Sequence, residues 1–70
     1  MSTIKIRTEY ITLGQLIKFI GLIDNGSQAK SFIANSSITY NGVEEKRRGK
    51  KIYANDVVVI NNTKYLITKE

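Results

Sequence analysis

Cysteine and histidine are both absent from these 70 residues. Disulfides therefore cannot brace the fold, thiol chemistry is excluded, and the usual zinc sites have no ligands. A chain this short builds a core worth on the order of a few kcal/mol, held by packing alone. Its six carboxylates form no paired motif, so general acid–base or nucleophilic chemistry would fall to lysine or tyrosine in a pocket that so small a domain scarcely encloses. The expectation is a non-catalytic protein with no metal or other cofactor. No apolar run approaches membrane-spanning length, and Met1-Ser2-Thr3-Ile4-Lys5 lacks the basic stretch, apolar run and cleavage site of a secretion signal. That reads as a soluble cytoplasmic protein without membrane association. Repeats, low-complexity tracts and linkers are missing too, which leaves one domain over residues 1–70.

What the chain has is 41% apolar residues, enough for a globular core, and a net charge of +5. That surplus is local. Lys46-Arg47-Arg48-Gly49-Lys50-Lys51 holds five of the eleven basic residues, and the six elsewhere balance the six acids. Cations packed around one glycine repel each other in a compact state, so the arrangement makes physical sense when a polyanion rests against it. Nucleic acid leads the candidates.

Ile4, Ile6 and Tyr10 alternate with Lys5, Arg7 and Glu9, which predicts a half-buried strand over residues 4–11. Thr12 and Gln15 have capping-box spacing, and Ile11 with Leu16 forms a hydrophobic staple, so a helix starts at Thr12. Leu13, Leu16, Ile17 and Ile20 make its apolar stripe and Gly21 its stop, about two turns on. Asp24 or Asn25 caps a second helix that buries Ala29, Phe32 and Ile33. Ile38-Thr39-Tyr40, Asn41-Gly42 and Val43 read as a hairpin, because both turn positions accept positive φ. Glu44 and Glu45 lead into the basic hexapeptide, which is expected on a loop projecting from that hairpin. Ile52-Tyr53 resumes a strand, Ala54-Asn55-Asp56 turns, and Val57–Ile60 with Tyr65–Ile67 closes a hairpin. The expected order is one strand, two helices and four short strands: an α+β fold with both helices packed on one side of a small, mostly antiparallel sheet.

Taken together, Leu13, Leu16-Ile17, Gly21-Leu22, Ala29, Phe32-Ile33, Ile38, Asn41-Gly42 and Asn55-Asp56-Val57 resemble the S4 RNA-binding domain family, over residues 12–60. Gly21-Leu22-Ile23-Asp24, Gly26-Ser27-Gln28-Ala29-Lys30 and Arg47-Arg48-Gly49-Lys50-Lys51 are most similar to its small stand-alone YaaA-like members. The resemblance implies an S4-like (αL motif) domain that recognises structured RNA, ribosomal or transfer RNA, without catalysis. It places RNA-facing positions at Thr12, Gly14 and Gln15, at Gly26, Ser27 and Lys30, and at Asn41. Thr12 and Gly26 stand where the family usually has arginine, and Gly14 where it has aspartate, so this helical surface has lost cations and the hexapeptide would compensate.

A-form RNA hides its base edges in a deep, narrow groove, so a small domain meets it through phosphates, 2′-hydroxyls and shape. Arg47 and Arg48 suit bidentate phosphate contacts, Lys46, Lys50 and Lys51 act as point charges, and Gly49 permits close backbone approach. Helix starts near Thr12 and Ser27 would add amide donors. The expected RNA-binding set is Lys46, Arg47, Arg48, Lys50, Lys51, Lys30, Gln15, Ser27 and Asn41, on a monomer that meets the ribosome or an assembling subunit. Tyr40 and Tyr53 flank the basic region, but aromatics at strand positions more often pack across the sheet than stack on bases. The rival reading is an adaptor whose basic loop docks an acidic protein. A membrane-surface role is weaker, since no amphipathic helix carries a basic face.

Overall fold

The computed structural model describes residues 2–70. The first strand ends earlier than the alternation suggests: β1 spans Ser2–Ile6 and β2 spans Tyr10–Thr12, and the two belong to different sheets. Arg7, Thr8 and Glu9 between them are all exposed bends. The Thr8 hydroxyl donates to the Tyr10 carbonyl at 2.6 Å, a local bond of the kind that competes with a ladder.

Helix α1 (Leu13–Phe19) begins where the capping box puts it. Thr12 Oγ1 accepts from the Gln15 N–H at 3.3 Å, and Gln15 Oε1 accepts from the Thr12 N–H at 3.0 Å. It ends at Gly21, whose φ of +84° lets its N–H reach the Lys18 carbonyl while the Leu22 N–H reaches that of Ile17. This double bond pattern is a Schellman motif, and it satisfies carbonyls that the helix end leaves open. Asn25 caps a single 3₁₀ turn over Gly26–Gln28 that runs directly into α2 (Ala29–Ala34). Ala29 and Ile33 of α2 are buried, and Phe32 is half-buried at the core's edge.

Five strands follow, not four: β3 (Ile38–Tyr40), β4 (Val43–Glu44), β5 (Lys51–Tyr53), β6 (Val57–Ile60) and β7 (Thr63–Lys69). Among the described residues the main sheet has the order β1-β7-β6-β3-β4. It is antiparallel except where β1 pairs parallel with β7, Ile4 opposite Ile67. Strand β5 leaves this sheet and pairs antiparallel with β2, Ile52 opposite Ile11. The fold is thus α+β, two helices with a mostly antiparallel sheet, and Leu13, Leu16, Ile17, Ile33, Ile38, Ile52, Val58 and Ile67 meet in one core. No helix among the described residues is long and apolar enough to cross a membrane.

Candidate nucleic-acid interface

The basic hexapeptide does not project. It is strapped across the start of α1, where the Leu13 N–H donates to the Lys50 carbonyl at 2.9 Å and the Gly14 N–H to the Arg48 carbonyl at 2.8 Å. A Cβ at position 14 would stand 3.4 Å from that Arg48 carbonyl, an ordinary van der Waals contact. These bonds, with the Gln15 N–H held by Thr12, occupy the first amides of α1. At the 3₁₀ turn the Ser27 N–H goes to Asn25 Oδ1 at 3.1 Å. The expected amide donors at both helix starts are therefore already spent inside the protein, as the four orphan N–H groups of a helix start must be when covered.

Two of the cations also have internal partners. The Glu45 side chain, only 9% exposed, accepts from the Arg47 N–H at 3.0 Å, from Nε at 2.9 Å and from Nη2 at 3.1 Å. The Arg47 guanidinium bonds, together with its backbone N–H, hold the Glu45 carboxyl at about 2, below its ordinary 4.5, against the upward push of burial. Lys46 turns the other way. Its Nζ donates to the carbonyls of Ser36 at 2.7 Å and Ile33 at 3.2 Å, closing the C-terminal end of α2, where a cation complements the helix dipole.

The Glu45 arrangement has a pH consequence. Its carboxyl loses its proton near 4.5 in the unfolded chain and only near 2 has regained it in the folded one. Its contribution to stability is whole above pH 4.5 and is lost as pH falls through about 2. Urea denaturation across that window should show a falling midpoint for the natural chain, and Glu45→Gln should lose part of that dependence.

Arg48 has no hydrogen-bonding or ion-pair partner for its side chain among the described residues. With Lys30 and Lys46 it rims a hollow beside α2 whose floor includes Ile33 and Ala34. Lys50 Nζ lies 4.5 Å from the centre of the Tyr40 ring and Lys51 Nζ 4.9 Å from that of Tyr10, cation–π contacts that orient both. Tyr53 packs against Tyr10 across β2 and β5, ring centres 5.8 Å apart, as strand aromatics tend to do.

The other expected residues stand apart from this hollow. Gln15 lines a separate one with Lys18 and Phe19, and Ser27 another with Leu22 and Phe32. The Ser27 hydroxyl donates to Asn25 Oδ1. Asn41, at φ +49° in its turn, donates from Nδ2 to Asp56 at 3.2 Å and accepts from the Val57 N–H at 2.8 Å. Sequence reasoning missed Asp56 as the hub of this corner. It accepts from the Tyr40 hydroxyl at 2.6 Å and from the Tyr53 N–H at 2.8 Å as well. The bond to Asp56, then burial and the Asp56 charge, push the Tyr40 phenol up to about 12. These bonds fix the ring over which Lys50 lies. The only sequence signal for the hub was its place in a turn between strands. Glu45 was signalled by a carboxylate standing directly before the cations.

A mostly antiparallel α+β module that strings cations along a segment tied to its first helix is a binding module. The S4 domain family's sequence profile matches residues 4–68, and the chain belongs to that family, a class of RNA-binding domains. The match reaches past residues 12–60 to take in most of β1 and most of β7. Over 57 residues the chain is 44% identical to a protein of Bacillus subtilis (strain 168) named probable ribosome maturation protein RlbA, the alignment covering 81% of this chain and 80% of that relative.

Proposed function

We propose that this chain is a monomeric, non-catalytic RNA-binding protein that holds structured ribosomal RNA in the cytoplasm, on an assembling subunit or on the ribosome. The observation that carries this reading is the placement of Lys30, Lys46 and Arg48 around one hollow, next to Lys50 and Lys51 oriented over tyrosine rings. Arg48 offers a planar fork to phosphate and the lysines offer point charges. Lys46, with two of its three ammonium donors used in capping α2, keeps one for a ligand. Because the segment's carbonyls are bound to α1, its backbone is ordered before RNA arrives, which lowers the entropic cost of association. Gln15, Ser27 and Asn41 would add contacts at the margins, and Arg47, paired with Glu45, would hold the segment in place instead of neutralising a phosphate. The ribosome-maturation name of the Bacillus relative supports ribosomal RNA as the target.

Crosslinking in cells, followed by capture of the tagged protein with and without ribonuclease, tests this. Attached RNA should be dominated by ribosomal sequences, and co-purifying ribosomal particles should be lost on nuclease treatment. A partner protein retained after complete RNA digestion would instead establish the acidic-partner adaptor.

A further inference from the structure

Phe19, the last residue of α1, is 64% exposed although the stripe of Leu13, Leu16 and Ile17 beside it is fully buried. A single exposed apolar side chain is common. This one, however, lines two hollows at once, and both also include Thr8 and Ile11. One hollow adds Lys5 and Arg7, the other Lys18. The only carboxylate lining either is Glu70, and Arg7 already pairs with it at 2.6 Å.

We infer that Phe19 is a stacking platform for an unpaired base of the bound RNA, with Lys18 on one side and Lys5 on the other taking the flanking phosphates. An aromatic face bordered by cations is the combination by which proteins hold single strands, the base on the ring and the backbone on the charges. Uncompensated Lys5 and Lys18 select a polyanion over a neutral peptide. The site lies on the same helix as the anchorage of the basic segment: Gly14, against which Arg48 lies, is five residues from Phe19, about 8 Å along the helix axis and roughly 140° around it. A strand leaving the Arg48 region can follow Gln15 and Lys18 to reach it. This inference rests on the RNA-binding reading above and extends it from paired to unpaired nucleotides.

The test uses the full chain and a labelled RNA hairpin, with and without a single-stranded oligoadenylate tail. Phe19→Ala should weaken binding of the tailed hairpin by about five- to a hundredfold, the range of one base–aromatic stack, and leave the tailless hairpin and the melting temperature unchanged. Because the chain has no tryptophan, Phe19→Trp gives a single reporter, whose emission should be quenched by the tailed hairpin and not by polyglutamate. Phe19→Ala binding the tailed hairpin as tightly as the natural chain does, or unquenched emission while the labelled RNA is bound, overturns the stacking site and leaves the RNA-binding reading intact. A response to polyglutamate in place of RNA overturns it in favour of an acidic protein. Failure of the natural chain to bind either hairpin brings down both readings together.

Discussion

Replacing Lys30, Arg48, Lys50 and Lys51 together by glutamine is expected to remove most of the affinity for RNA and most of its dependence on salt. If these four side chains neutralise about four phosphates, log K falls with log salt at a slope of roughly −3, so a fourfold rise in salt weakens binding by about 60-fold. The quadruple variant, left with Lys46, should keep a slope no steeper than about −1 over the same range. Arg47→Gln is the control that makes the result informative. Arg47 donates to Glu45 through its guanidinium and its backbone, so its loss leaves a mostly buried carboxylate with fewer partners and should show as a lower melting temperature, with little change of slope. Filter binding at a series of salt concentrations, beside thermal denaturation by circular dichroism, separates the two. If Arg47→Gln flattens the slope as much as Arg48→Gln does, the division between anchoring and ligand-facing cations is wrong.

That division could not have been read from the hexapeptide itself. Five cations around a glycine look equivalent in sequence, and what distinguishes them is tertiary: the carboxylate before them turns inward, the end of α2 lies within reach of Lys46, and the start of α1 needs acceptors for its first amides. The local features were legible because their causes are local. The Thr12–Gln15 capping box, the Gly21 stop and the positive φ at Asn41 and Gly42 depend on residues at most a few apart, and each forms as the sequence implies.

The strands show the same boundary. Alternation through Ile4 and Ile6 was sufficient to predict a strand, but nothing in the periodicity marks Arg7–Glu9 as the point where the chain changes sheet. The pairing of β1 with β7 joins the two ends of the sequence, Ser2 opposite Tyr65, and the pairing of β2 with β5 brings Thr12 opposite Lys51. This second pairing lays the basic segment along α1 instead of letting it project, and it is a long-range choice. The family resemblance reached the α+β class and the helical surface, yet it too rests on residues that cap, turn and pack. It is silent on where the replaced cations have gone.

Leu16→Ala is expected to cost about 2–5 kcal/mol, against a total stability of roughly 4–10 kcal/mol for a chain of this length. Leu16 is fully buried in α1, and no cysteine pair or histidine-based metal site is available to offset the cavity. The urea midpoint should fall by about half or more, while Phe19→Ala on the same helix leaves it in place because that ring is exposed. The larger consequence lies in binding. Helix α1 supplies the amides that fix the Arg48 and Lys50 carbonyls, so when α1 melts the segment loses its anchorage although every cation is still present in the chain. RNA affinity of Leu16→Ala, followed against temperature, should hold at the natural value while the helix signal persists and drop as that signal is lost, at a temperature well below the natural chain's. Binding that continues undiminished through unfolding would mean that charge alone suffices, and that holding the cations in place contributes nothing to recognition.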